Sequence, residues 1–262
     1  MPVTIRTLNK RKQDGEKFAM LTAYDATFAR QISEAGVEAI LIGDSLGNVV
    51  QGRDSTVPVT LENMVYHTEC VARGNQGSLV IADVPFLGAA TLDRILTASG
   101  ALMQAGANMV KLEGGAWLAE AVTVLKRNGV PACVHLGLTP QAVNAFGGYR
   151  VQGKDEQGAR ELLDAAVALE KAGAAMLLLE CVPRAVSAEI TAAVNIPVTG
   201  IGAAPECDGQ VLVMHDMLGL NAHPARFVKD FMAEAGGDIG TAFRAYHQAV
   251  KQGLFPTDQH CF

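Results

Sequence analysis

MVKLEGG, residues 109–115, is a short apolar run that ends in a carboxylate and is followed by two glycines. The same order recurs in AILIGDS (39–45), LVIADVPF (79–86) and AMLLLEC (175–181), so Asp44, Asp83, Glu113 and Glu180 each stand where a strand-like run stops. Runs this rich in Val, Ile and Leu, apolar on both faces, read as buried parallel strands. A carboxylate in such a place loses its hydration unless a cation or hydrogen-bond donors compensate. Four of them in repeated βα units predict a single acidic site at one end of a closed barrel.

Strand and helix patterns alternate along the rest of the chain. The strand candidates are 18–24, 39–44, 79–83, 109–113, 131–136, 175–180, 196–201 and 210–215. Between them, ATFARQISEAG, TLENMVYHTECVARG, TLDRILTASGALMQAG and GARELLDAAVALEKAG carry apolar residues at helical spacing and close on a glycine suited to a helix C-terminus. Eight strands in βα repeats predict a (β/α)₈ TIM barrel rather than an open doubly wound sheet. No G-x-G-x-x-G follows the first strand, which weighs against a dinucleotide fold. The expected organisation is one barrel domain over 1–262 with C-terminal helices after His215. Only GAAPECDG separates strands seven and eight, so the helix there should be short or missing. After strand five, TPQAVNAFGGYRVQGKDE is long and glycine-rich, a candidate lid on the catalytic face.

Composition narrows the function classes. The 262 residues are 49% hydrophobic but only 5% aromatic, so branched aliphatics must fill the core, as suits a barrel interior. A balance of 21 Lys+Arg against 27 Asp+Glu, net −6, argues against nucleic acid or an anionic membrane as partner. No apolar run approaches a membrane span and no signal peptide is evident, which leads us to expect a cytoplasmic enzyme. The five cysteines form no C-x-x-C pair and read as free thiols.

Asp44, Asp83 and Glu113 come from adjacent strands two, three and four. Oxygen ligands without clustered His or Cys favour a hard cation such as Mg²⁺. The alternative for any one of them is a helix N-cap or a salt bridge to an arginine. Lys111 shares a strand face with Glu113. It can neutralise the carboxylates, bind an anionic substrate or act as a Schiff-base nucleophile, and substrate binding ranks first. Glu180, in a very apolar run on strand six, is the candidate base; its structural alternative is a pair with Arg184. His135, at the end of strand five, is an auxiliary candidate, and His215 and Asp216 at the end of strand eight stand at even odds with a structural role. His67, His223, His247 and His260 read as structural.

The strings GDSLGNVVQGRDSTVPVTLENMVYHT, ADVPF, GANMVKLEGG, HLGLTPQ, FGGYRVQGK, LLLECVP, GIGA and DGQVLVMHD, in this order, closely resemble the ketopantoate hydroxymethyltransferase family. The resemblance implies a Mg²⁺-dependent (β/α)₈ enzyme of pantothenate and coenzyme A biosynthesis. It would transfer a hydroxymethyl group from 5,10-methylenetetrahydrofolate to 3-methyl-2-oxobutanoate, giving 2-dehydropantoate through a Mg²⁺-stabilised enolate. Carried onto this chain, it implies Asp44, Asp83 and Glu113 as metal ligands and Asp44, Ser45, Asp83 and Lys111 as substrate contacts. Glu180 would be the proton acceptor. Small-molecule substrates and a homo-oligomer, commonly a decamer, follow from the same resemblance. One departure is Ala204, where the family commonly has glycine. The segment YDATFARQISEAGVEAILIGDS also resembles enzymes of the isocitrate lyase and phosphoenolpyruvate mutase kind, but their lyase loop K-x-C-G-H is absent.

Overall fold

A computed structural model describes residues 2–262. Eight strands, β1 (Phe18–Thr22), β2 (Ala39–Ile42), β3 (Leu79–Asp83), β4 (Met109–Glu113), β5 (Ala132–Gly137), β6 (Met176–Glu180), β7 (Val198–Ile201) and β8 (Gly209–Leu212), pair in parallel and in order, and β8 closes onto β1. The helices are α1 (Ile5–Asp14), α2 (Ala26–Glu34), α3 (Leu46–Val49), α4 (Leu61–Gly74), α5 (Leu92–Gln104) and α6 (Ala119–Arg127), followed by α7 (Val143–Phe146), α8 (Glu156–Ala172), α9 (Arg184–Ala193), α10 (Met214–Met217) and α11 (Ile239–Lys251). This is the expected (β/α)₈ barrel, and its strands are buried on both faces as their unbroken apolar runs require.

Local chemistry starts the helices where the sequence suggests. Gly36, Gly106 and Gly173 turn left-handed after α2, after α5 and at the end of α8, whereas Gly74 stays inside α4 and Asn75 follows it. Thr60 and Asn63 form a reciprocal capping box on α4, Thr91 caps α5 and Asp155 caps α8 through the Gly158 amide. Between β7 and β8 there is no helix, only a turn over 202–208. Ala204 sits in that turn fully buried, and its carbonyl accepts a hydrogen bond from Gln210 Nε2 at 2.8 Å. Its backbone does not enter the left-handed region, so alanine costs the turn no strain there.

The N-terminal face of the barrel is closed by elements at the two ends of the chain. Lys12 of α1 reaches Asp208 just before β8 at 2.7 Å, and Arg11 reaches Glu38 just before β2 at 3.2 Å. The Tyr246 hydroxyl on α11 lies 3.0 Å from the carbonyl of Met20 and 2.9 Å from that of Gln210, pinning that helix across the β1–β8 seam. The basic N-terminal segment is therefore a structural lid on the stability face of the barrel.

Strand ends differ from expectation in one place that bears on function. The run 210–215 does not stay extended: β8 stops at Leu212, and His215 and Asp216 lie in the short helix α10. The cause is local. The Thr22 hydroxyl at the end of β1 accepts the Met214 amide at 2.9 Å and turns the chain out of the sheet.

Candidate active site

Register decides which side chains meet. Parallel pairing sets Asp83 beside Lys111, Glu113 beside His135 and Gly137 beside Glu180. The C-terminal ends of β3 to β6 thus bring five of the expected residues onto one mouth, and Asp44, two residues past β2, joins them. Asp44, Asp83, Lys111, Glu113 and His135 are all buried, whereas the Glu180 side chain keeps 15% of its exposure.

Glycines line the approach to the site. A Cβ on Gly43 would lie 2.6 Å from Ser45 Oγ, so a side chain there would displace the Ser45 hydroxyl. Gly137 has φ +91°, and a Cβ there would strike the carbonyl of Glu180.

Asp44, Asp83 and Glu113 each offer a carboxylate oxygen within 4.8 Å of the other two. Neither alternative role applies to Asp44: Ser45 occupies the cap position of α3, and no side chain caps that helix. Lys111 Nζ lies 3.1 Å from Asp83 Oδ1, 3.3 Å from Glu113 Oε1 and 3.2 Å from His135 Nδ1. The same Nδ1 lies 3.4 Å from Glu113 Oε1, and the ring's Nε2 lies 3.4 Å from Glu180 Oε2. At 3.4 Å this is an ion-pair separation rather than a formed hydrogen bond. Arg184, the alternative partner of Glu180, is engaged instead by Glu206 and Asp258.

The charges are divided unevenly. Burial works against Lys111, but Asp83, Glu113 and Asp44 outweigh it and hold the ammonium protonated well above its ordinary range. Burial would raise Glu113, yet Lys111 and then His135 pull it down to about 2. Asp44 goes the other way: burial, then Glu113 and Asp83, push its carboxyl well up. Burial also raises Asp83, and Lys111 only partly offsets it. Burial and Lys111 lower His135, but Glu113 and Glu180 prevail and raise it. Three carboxyl groups face the Lys111 ammonium and the His135 ring, and a hard divalent ion suits this all-oxygen set.

Ser45 stands at the rim, 2.9 Å from the buried Tyr24 hydroxyl, and the Tyr24 ring packs against His215 at 5.6 Å between centroids. His215 therefore supports the wall of the site, while Asp216 accepts from Asn221 at 3.0 Å and does not join the acidic cluster. His67 Nδ1 donates to the Tyr24 carbonyl, His247 faces Glu38 and His260 bonds Thr257, all structural contacts. All five cysteines are free, and burial pushes the Cys133 thiol up to about 12, which makes it a poor nucleophile.

Gln141 is absent from the residues singled out by sequence. Its side-chain Nε2 donates to Asp44 Oδ2 at 2.8 Å and to the Val84 carbonyl at 3.0 Å, and its backbone amide donates to Glu113 Oε2 at 2.9 Å. It opens the long segment after β5, which forms a turn over Pro140–Ala142 and then α7, and returns at Gln152, whose amide bonds the Cys181 carbonyl at 3.0 Å. Together with Phe86, Trp117 and Leu162, this segment walls a cavity of about 1040 Å³ that opens onto Glu113.

The ketopantoate hydroxymethyltransferase family profile matches residues 2–258. The chain belongs to that family. Among relatives named 3-methyl-2-oxobutanoate hydroxymethyltransferase, the protein of Alcanivorax borkumensis is 74% identical over the full length of both chains. That of Idiomarina loihiensis is 55% identical over 99% of this chain and 97% of its own. The chain is thus a hydroxymethyltransferase. A solved oxaloacetate acetylhydrolase, in complex with 3,3-difluorooxalacetate, superposes with a TM-score of 0.63 at 14% identity, covering 97% of this chain and 98% of that one. That likeness extends to the barrel and no further. Among the described residues no helix is long and apolar enough to cross a membrane.

Proposed function

We propose that this hydroxymethyltransferase moves the one-carbon unit of 5,10-methylenetetrahydrofolate onto C3 of 3-methyl-2-oxobutanoate, giving 2-dehydropantoate, with Glu180 as base and Mg²⁺ held by Asp44, Asp83 and Glu113. The observation that carries this reading is the pairing of a buried, over-charged carboxylate cluster with a separate, more accessible carboxylate one imidazole away. When bound, the divalent ion supplies positive charge against the negative charge that develops on the keto oxygen as C3 loses its proton.

The chain's own groups do the rest. Lys111 Nζ and the Ser45 hydroxyl are donors placed for the anionic oxygens of the keto acid. Glu180 Oε2 takes the C3 proton, and His135 Nε2 beside it stabilises the orientation of that carboxylate. The C3 carbon bonds to the donor's methylene carbon, and water then replaces tetrahydrofolate on that carbon to leave the hydroxymethyl group. A five-carbon keto acid is far too small for a cavity of about 1040 Å³. Its apolar wall of Phe86, Leu87, Trp117 and Phe146 supplies flat surface for a pterin ring.

Proton abstraction can be separated from one-carbon transfer. With Mg²⁺ in D₂O and no folate, the protein should exchange the C3 hydrogen of 3-methyl-2-oxobutanoate for deuterium, collapsing the isopropyl methyl doublet in the NMR spectrum. Glu180→Gln keeps the shape but cannot accept the proton, so exchange should fall by about 10²-fold or more. Exchange at the wild-type rate in that variant removes Glu180 from the base role and moves it to His135.

A further inference from the structure

One residue of the loop after β5 touches the ends of all three strands that carry the acidic trio. Gln141 reaches Asp44 beyond β2, the Val84 carbonyl beyond β3 and Glu113 at the end of β4. Both hydrogens of its side-chain amide and its backbone hydrogen are committed to these acceptors. The donors fix one oxygen each of Asp44 and Glu113, namely Oδ2 and Oε2. Glu113 Oε1 remains towards Lys111 and His135, and Asp44 Oδ1 takes no protein donor among the described residues. Groups that hold a ligating carboxylate by its second oxygen set its orientation and hence its affinity for the ion.

The far end of the same loop is tied beside the proposed base, through the Gln152 amide on the Cys181 carbonyl. The segment 142–151 between these ties forms part of the cavity wall, with Ala142, Asn144 and Phe146 facing it. Just before it, the chain is held to the barrel mouth by the Leu138 amide on the Glu180 carbonyl and by the three bonds of Gln141. We propose that Gln141 is a positioning residue that couples the loop after β5 to the cation site, so that ion binding and loop order are one equilibrium. The coupling rests on the metal reading above. It is reciprocal: whatever the ion does for the loop, an ordered loop does for the ion.

The test uses the full chain with Mg²⁺ as the probe. Calorimetric titration gives the Kd for Mg²⁺, and amide hydrogen exchange over 142–155 is followed in EDTA and at saturating Mg²⁺. In the wild type, Mg²⁺ should slow exchange across this segment. Gln141→Ala, which retains the backbone bond to Glu113, should bind Mg²⁺ about 10- to 100-fold more weakly. At saturating Mg²⁺ its loop should also show no gain in protection. Gln141→Met, of similar length but without the amide, carries the same two expectations should the alanine variant fold poorly. Wild-type Kd within twofold in a folded Gln141 variant, or an undiminished Mg²⁺-dependent gain in protection, overturns the proposal while leaving the metal site intact. A wild-type chain that binds no divalent ion overturns the metal site and this proposal together.

Discussion

Replacing Asp44 by Asn should make the metal-free protein more stable and the metal-loaded protein less so. In the absence of an ion, Asp44 lies buried with Asp83 and Glu113, three carboxyl groups facing the Lys111 ammonium and the His135 ring. Burial, then Glu113 and Asp83, hold the Asp44 carboxyl well above its ordinary range. The native state therefore binds this proton more tightly than the unfolded chain does. Stability falls as pH rises from the unfolded value through the raised native one, and the full penalty stands above both. Each unit of such elevation is worth about 1.4 kcal/mol. A neutral amide removes the penalty, and its oxygen can still accept the Gln141 donor.

At pH 8 in EDTA, Asp44→Asn should thus melt higher than wild type by roughly 2–4 °C for each ~1 kcal/mol recovered in a chain of this size. The gain should shrink as pH is lowered and the wild-type carboxyl takes up its proton. Adding Mg²⁺ at about a hundred times its Kd should raise the wild type by about 2.7 kcal/mol and the variant by much less, reversing their order. Scanning calorimetry across pH 5 to 9, with EDTA and with Mg²⁺, measures all of this. A variant that is less stable than wild type at pH 8 in EDTA, or a difference that ignores pH, refutes the reading of Asp44 as an uncompensated carboxylate.

Two further outcomes are expected. Lys111→Ala removes the only ammonium in the cluster; breaking a buried pair should cost about 3–5 kcal/mol in EDTA, and the KM for the keto acid should rise far more than that for the folate. Borohydride trapping of a covalent adduct at Lys111 in the wild type would replace this binding role by an imine mechanism. Gly137→Ala should destabilise the fold by about 1–3 kcal/mol, because φ +91° and the overlap with the Glu180 carbonyl leave no room for a methyl group, and the same displacement should lower kcat; an unchanged Tm by calorimetry would deny that closeness.

The barrel is legible in the chain because its strands have both faces buried, and such strands are written as unbroken apolar runs. The acidic cluster is legible for a related reason: MVKLE and LVIAD put charge where only an organised site can tolerate it. Gln141 left no such trace. A glutamine in a loop after TP is unremarkable in composition, and its importance arises from the path by which that loop folds back over β2 to β4. The proline before it favours the tight turn over 140–142, the one local cue. His215 was misplaced for a comparable reason: the run GQVLVMH continues apolar past the point where Thr22, nearly two hundred residues upstream, ends the strand. The helix α1 carries too few buried residues, Leu8 alone, for its periodicity to announce it.

The uneven charges within the cluster also indicate where an ion would act. Lys111 is placed between Asp83 and Glu113, yet it is Glu113 whose carboxyl is brought down to about 2, with His135 as second partner. Asp83 stays raised in spite of that ammonium, and Asp44, whose other neighbours are carboxylates and one amide, is raised most clearly. Glu113 is therefore held ionised by Lys111 and His135, whereas burial and like charge push the Asp44 and Asp83 carboxyls up. On the metal reading proposed above, rising pH should favour ion binding. Lys111 thus offsets the charge of Glu113, and the upward push on Asp44 and Asp83 is what an ion, on that same reading, would relieve.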